Sequence, residues 1–388
     1  MRILRLEIMM RKAILLCTSF LSVLFANAQT KYVNEFLNIG VGARSFAMGG
    51  AVAASAKDVT AGYWNPAGLR DLPSDFQVSL MHNEYFGGLA KYDYAGVAYK
   101  LAQNKGNIGV NVIRFGIDDI PNTLNLQKPD GTLDFSTVKS FSAVDYAAII
   151  CYSRDLNIKR WADRDDVRFT IGGNAKIINR SIGSFANAWG VGVDLGLRVL
   201  AHRWMGGLVL RDATTTYTGW SFTLTEKEKA TFQFTDNIIP VQSGEVMNPR
   251  IVIAIARKQP IGEYWRVLGE MDWDFTTDGP RYGNVINAGR LSGTPRFGFE
   301  ATYRSQLFAR LGVNGFQKVL DNTDSTFQKT RTMYQPSIGF GIYSSNVTID
   351  YAFTSLNLQR NPLYSHVISL KLDMRKPRKF RKDANKEK

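Results

Sequence analysis

Through most of the chain, apolar residues recur at every second position, and this period of two limits what the chain can become. Val191, Val193, Leu195, Leu197 and Val199 share one parity, while Gly192, Asp194, Gly196 and Arg198 share the other. Phe297, Phe299, Ala301 and Tyr303 alternate with Gly298, Glu300, Thr302 and Arg304. Gly269, Met271, Trp273 and Phe275 alternate with Glu270, Asp272 and Asp274, and Val347, Ile349, Tyr351 and Phe353 with Asn346, Thr348 and Asp350. Neighbouring side chains of a strand point to opposite faces, so each stretch reads as a strand with one apolar and one polar face.

Two all-β architectures accept this pattern. A soluble sandwich buries its apolar faces against each other. A transmembrane up-and-down antiparallel β-barrel turns them to lipid. The barrel is favoured on four counts. Arg11 and Lys12, the apolar run Ala13 to Phe25 and the site Ala26-Asn27-Ala28 have the layout of a secretory signal peptide. That run is shorter than the ~20 residues of a spanning helix, so the anchoring-helix alternative is disfavoured, and Leu16 ahead of Cys17 does not suit a lipid anchor. Many strands approach the ~9–11 residues of a tilted span. The polar parity is rich in Gly and mixed charge, as a crowded lumen requires. Aromatics gather near strand ends (Tyr85, Phe86, Tyr92, Tyr94, Tyr264, Trp265, Tyr303), as in interfacial girdles.

Counting from Phe76 to Leu372 gives roughly fourteen strands, and single-chain barrels favour even numbers. Short turns are read at Asn104-Lys105-Gly106 and Ser344-Ser345-Asn346, and long outer loops at Asp118 to Thr137, Asp212 to Met247 and Gln317 to Thr332. The expected organisation is a signal at 1–28, a plug at 29–73, a barrel at 74–373 and a basic periplasmic tail at 374–388. The expected location is the bacterial outer membrane, with its lipid as first partner. The formal charge of +14 is uneven: the signal holds +3 and Arg375 to Lys388 holds +6, leaving +5. Export argues against a nucleic-acid partner. The tail reads as solvated, touching anionic lipid or peptidoglycan at most.

Nothing asks for catalysis, a metal or a cofactor. His82, His202 and His366 lie in no metal-ligand spacing, and no nucleophile elbow or phosphate loop is present. Glu270, Asp272 and Asp274 point the same way. With Asp194 they are expected to pair with lumen arginines such as Arg198, Arg304 and Arg310, because an unpaired charge there is costly. Trp64, Trp189, Trp220 and Trp273 read as girdle or plug packing, with a greasy ligand path as the alternative. Residues 29–73 do not alternate. They are small and apolar around Arg44, and Pro66 with Gly68 predicts a sharp turn after Asn65, with Gly68 free to take positive φ.

The run Gly42-Ala-Arg-Ser-Phe-Ala-Met-Gly49-Gly50, followed by Asn65-Pro66-Ala67-Gly68-Leu69, resembles the plug of FadL-type barrels and especially their PorV/PorQ branch. The segments holding Asp118, Asp119 and Pro121, then Arg211, Asp212 and Trp220, and then Glu245 to Arg250 are similar to that branch. So are Gly192 to Leu197 and the final Val367 to Leu372 strand. The resemblance implies a fourteen-stranded barrel with an N-terminal plug. For the PorV side it implies an adaptor of type IX secretion that binds cargo C-terminal domains and partners a translocon barrel and an attachment complex. Asp118, Asp119, Pro121, Arg211, Asp212 and Trp220 would then stand on docking loops. For the FadL side it implies transport of long-chain fatty acids or other hydrophobic small molecules. A soluble secreted β protein is a third possibility.

Overall fold

The structure is a computed structural model that describes residues 32–102, 105–128, 130–157, 167–281, 284–320, 330–355 and 364–375. The signal peptide, Asn104, the centre of the Gln317–Thr332 loop and the tail beyond Arg375 lie outside the described residues.

The alternating stretches form one antiparallel sheet. In chain order its strands are β1 (Phe76–Tyr85), β2 (Ala90–Lys100), β3 (Asn107–Asn122), β4 (Lys139–Asp155), β5 (Val167–Ile182) and β6 (Ala186–Ala201). They continue with β7 (Trp204–Arg211), β8 (Thr216–Phe222), β9 (Ser243–Met247), β10 (Arg250–Ile261), β11 (Trp265–Thr276) and β12 (Ile286–Ala288). The last are β13 (Leu291–Tyr303), β14 (Leu307–Leu320), β15 (Thr330–Ser344), β16 (Val347–Ser355) and β17 (Tyr364–Met374). Neighbouring staves pair antiparallel around the wall, and β17 closes on β1 from Phe76↔Met374 to Glu84↔His366. Closure leaves no edge, as a sheet spanning lipid requires.

The seventeen segments make a closed fourteen-strand barrel. β7 and β8 share one stave, because β6 pairs with β7 at Leu195–Ala201 and with β8 at Ala186–Val191. β9 and β10 share the next, and β12 is a short flap on β13. The interruption at 212–215 carries left-handed Asp212 and Thr215, and Ala213 N–H keeps the wall joined by donating to the Val193 carbonyl at 2.7 Å.

The faces separate as the alternation demands. Trp189 and Val191 are 63% and 61% exposed on the lipid side, while Gly190, Gly192 and Asp194 turn inward and are buried. Ile251, Ile253 and Ile255 behave likewise against the inward Val252 and Ala254. The turns at 202–203, 262–264, 304–306 and 345–346 are short and share one end. The connections at 123–138, 223–242 and 277–290 share the other. Short turns mark the periplasmic end and long loops the outer end, so β1 starts and β17 finishes at the periplasm.

The stretch read as one loop from Asp212 to Met247 instead holds β8, the helix Glu226–Phe234 and β9. Likewise β3 runs on to Asn122 past Asp118. Three tyrosines also depart from the girdle expectation: Tyr85 has inward parity and borders a lumen cavity, and two more lie deeper. Tyr92 and Tyr94 point into the lumen and are buried, and the Tyr94 hydroxyl donates to Asn111 at 2.6 Å. Their parity is that of Gly96 and Ala98, and the plug supplies apolar surface on that side. The outer face at that height carries Lys91 and Asp93 instead. Tyr264 and Trp265 stand exposed at the periplasmic ends of their strands.

Candidate functional site: the plug and its seat

The plug enters the barrel from the outer end. Tyr32 lies under the Arg281 guanidinium at 4.8 Å, and Arg281 also pairs with Glu35 at 3.0 Å and Asp278 at 2.7 Å. Arg281 follows β11 on the outer side, so the chain descends through the lumen to β1. Its regular pieces are short: 3₁₀ turns at Glu35–Asn38 and Pro66–Asp71, and helices at Ala43–Ala47 and Ala61–Trp64. Buried side chains tie them together. The Tyr63 hydroxyl donates to the Leu37 carbonyl and Trp64 Nε1 to the Val41 carbonyl at 2.9 Å.

A backbone with so little regular structure leaves N–H and C=O groups unpaired, and burial makes each expensive. The barrel wall satisfies them. Asp272 accepts from Val52 and Ala53 N–H, both at 3.0 Å; Glu270 accepts from Ala54 and Ser55 at 2.7 and 3.2 Å. Arg198 donates to the Ala54 carbonyl at 2.6 Å, Asn314 to Gly49 at 3.0 Å, and Asn174 to Gly62 at 2.7 Å. Glu270 and Asp272 therefore serve as acceptors for the plug. Neither has a cation within ion-pair distance among the described residues, contrary to the expectation of arginine partners. A stretch of chain with four successive N–H groups facing one strand offers these carboxylates donors without a cation.

The remaining charges form a belt of ion pairs. Asp274 is gripped by Arg250 at 2.7 Å and by Arg296. Asp194 accepts from Lys176 at 2.7 Å and from the Asp212 N–H at 2.8 Å. Arg310 bridges Glu300 and Asp350, each at 2.7 Å, and Arg198 reaches Asp71. From the plug, Arg44 joins Glu300 at 2.9 Å and donates to Ser55 at 3.1 Å. Arg304 is not part of this belt. It occupies the turn after β13 with φ 48°, exposed, its guanidinium over Tyr264 at 4.7 Å.

The Asn65-Pro66-Ala67-Gly68 motif is a hinge of contacts. The Asn65 side chain accepts from Ala67 N–H at 3.1 Å and donates to the Ala53 and Leu197 carbonyls at 2.9 and 3.2 Å. Pro66 opens the 3₁₀ turn, where its missing N–H costs nothing. Gly68 does not take positive φ. It is needed because a Cβ there would lie 2.2 Å from the Ala56 carbonyl oxygen. Wall glycines obey the same constraint: a Cβ on Gly172 would meet Pro66, on Gly196 Asn65, on Gly312 Gly49, and on Gly207 Ala53, all under 3.0 Å. The Gly-rich lumen parity marks where plug backbone touches wall, a signal visible in the sequence once the plug is known.

Of the residues expected on docking loops, Asp118, Asp119 and Pro121 are exposed above the outer rim, and Asp118 accepts from Ser142 at 2.8 Å. Arg211, Asp212 and Trp220 are buried in the lumen instead. Arg211 lies over Tyr63 at 4.9 Å, Asp212 holds Lys176 at 2.5 Å, and Trp220 stacks under Arg180 at 5.2 Å. They sit inside because the stave resumes as β8 rather than ending at Arg211.

Two cavities flank the plug. The outer one, about 220 Å³, is bordered by Ser45, Phe46, Gly50, Trp64, Tyr85 and Arg296. The inner one, about 400 Å³, is bordered by Arg44, Lys57, Asp58, Leu268, Glu300 and Phe308. The helix Ala43–Ala47 divides them, with Arg44 on one side and Ser45 and Phe46 on the other.

No protein-family model and no curated protein matches the sequence. Solved structures do match in fold. The toluene transporter TodX of Pseudomonas putida aligns with TM-score 0.52 at 15% identity, over 86% of this chain and 98% of its own. The toluene transporter TbuX of Ralstonia pickettii aligns with TM-score 0.50 at 12% identity, over 86% and 98%. The monoaromatic hydrocarbon channel CymD aligns with TM-score 0.51 at 14% identity, over 87% and 98%. These neighbours are FadL-family barrels, and the chain is, like them in fold, a plugged β-barrel of the bacterial outer membrane.

Proposed function

We propose that the chain passes small hydrophobic molecules across the outer membrane through a lumen gated by its plug. The observation that carries this reading is the pair of cavities separated by the single short helix Ala43–Ala47. The outer cavity sets aromatic and aliphatic surface from Phe46, Trp64 and Ile39 against polar groups of Thr294, Arg296, Asn314 and Gln335, so it offers an apolar ligand contact surface together with groups that fix its orientation. Support comes also from the neighbours, which are described as toluene transporters and a monoaromatic hydrocarbon channel. The test is uptake of labelled toluene and of a long-chain fatty acid by proteoliposomes with and without the protein. Faster uptake of either supports the reading, and equal uptake of both overturns it.

A second reading is the type IX secretion adaptor of the PorV kind. The feature favouring it is the filled lumen, where the plug and the ion-pair belt leave a closed platform. Asp118, Asp119 and Pro121 would contribute to its outer docking surface, for cargo C-terminal domains, translocon or attachment complex. Loss of the gene should leave cargo proteins unprocessed in the periplasm. Normal surface delivery would remove this reading.

A further inference from the structure

The inner cavity carries positive charge that its carboxylates do not neutralise. Of its cations, Arg44 and Arg310 are matched by Glu300, Arg198 by Asp71, and Lys371 by Asp58 at 2.9 Å, while Arg375 borders the same cavity as Asp373, which accepts from Ser74 and Gln77 at 2.7 Å each. Lys57, Lys258 and Arg266 are not matched, since no carboxylate lies within ion-pair distance of them among the described residues. Lys57 comes from the plug. Lys258 and Arg266 face inward near the periplasmic ends of β10 and β11. Burial pushes the Lys57 ammonium down, and Lys258 and Arg44 push it further, which is repulsion an anion would relieve.

Apolar side chains interleave with these cations. Lys258 faces Leu268 across β10 and β11, Arg266 faces Thr302, and Thr302 faces Phe308. Met205 adds to the same lining. The space of about 400 Å³ suits a small molecule. Lys258, Arg266, Leu268 and Phe308 face inward, so a lipid headgroup in the bilayer cannot reach them.

We propose that this cavity binds a soluble small molecule with a dianionic head on an apolar body, the chemistry of an aryl phosphate or an aromatic dicarboxylate. The head would sit among Lys57, Lys258 and Arg266, with the body against Leu268 and Phe308. The inference uses the inner cavity of the transport reading, but it concerns binding at equilibrium and is tested without transport.

The experiment is calorimetric titration of the full chain in phosphatidylcholine nanodiscs at about pH 8, where a phosphate monoester is dianionic. The probes are phenyl phosphate, inorganic phosphate and benzyl alcohol. Phenyl phosphate should bind at least tenfold tighter than either fragment and weaken as salt rises. The Lys57→Gln/Lys258→Gln/Arg266→Gln variant should lose at least tenfold. If that variant fails to show the heat-shifted band of a folded barrel, Lys258→Gln alone should lose severalfold. Three results overturn the proposal: no binding of phenyl phosphate, equal binding of inorganic phosphate, or wild-type affinity in a folded variant.

Discussion

Gly172 offers a direct test of how the wall holds the plug. It faces the lumen from β5, and a Cβ there would lie 2.4 Å from the Pro66 carbonyl carbon and 2.5 Å from the Ala67 nitrogen. Ordinary contact begins near 3.4 Å, so the plug backbone must retreat about 1 Å in Gly172→Ala. The strand itself tolerates the change, because Gly172 has no left-handed φ and alanine is the better strand residue by roughly 0.5–1 kcal/mol. The cost therefore falls on the docked plug. Overpacking costs ~1–3 kcal/mol, and the upper end applies because the facing atoms are backbone and cannot rotate away. About 3 kcal/mol shifts the docked-to-undocked equilibrium of the plug roughly a hundredfold. Trypsin cleavage after Arg44 in nanodiscs, read beside single-channel conductance, should show faster cutting and open bursts. The heat-shifted band should remain, since the barrel is intact. Gly269→Ala is the control, because that Cβ would point outward with nothing within 4 Å. If Gly172→Ala matches Gly269→Ala in cleavage and conductance, the plug is not seated on the wall glycines as argued.

Asp272→Ala should strand the Val52 and Ala53 N–H groups in a buried seat, costing about 1–3 kcal/mol for each. Trypsin should then cut the plug faster than in Asp272→Asn, which keeps an acceptor. The plug should also loosen in acid. Burial pushes the Asp58 carboxyl up, but the Lys371 ammonium, the hydrogen bond from Thr60 and the charge of Arg44 outweigh it and hold it well below the usual range. A depressed folded pKa gives stability that is complete above about pH 4 and lost as pH falls further; cleavage of the plug by pepsin, an acid protease, should rise below that pH, and less so in Asp58→Asn. On the lipid face, where Leu195 is exposed, Leu195→Arg should destabilise the barrel by about 2–4 kcal/mol in urea titrations from bilayers.

The barrel was readable because its signal is local. Val191 to Val199 and Glu270 to Asp274 carry their faces in parity alone, and parity does not depend on distant partners. What failed depended on the plug. Tyr92 and Tyr94 look like girdle residues by type, yet their parity is inward and the plug gives them apolar neighbours. Arg211 and Trp220 look like loop residues because 212–215 breaks the alternation, and only the pairing of β8 to β6 shows the stave continuing. Glu270 and Asp272 were expected to find arginines. Their true partners are N–H groups that every residue except proline possesses, so no side-chain pattern announces them. Gly68 was read as a conformational need and proved to be a spatial one.

These departures share a cause that also bears on gating. The wall supplies acceptors where the plug shows N–H groups, donors where it shows carbonyls, and glycine where its backbone comes closest. Beyond the contacts above, Asn107 donates to the Leu69 carbonyl, Gln77 accepts from Val59 N–H, and Ser337 donates to the Ala47 carbonyl. Withdrawing the plug as one body would strip all of these at once, each at the cost of an unpaired buried group unless water replaces it. A local shift is far cheaper. Gly49 and Gly50, both with positive φ, follow the helix that separates the two cavities, and moving that helix alone would strip a shorter set of contacts: Arg44 on Glu300 and Ser55, the Ala43 N–H on Ser369, and Ser337 on the Ala47 carbonyl. On the transport reading proposed above, passage past the plug would use displacement of Ala43–Ala47 about this glycine pair, while the segment held by Glu270 and Asp272 stays in place.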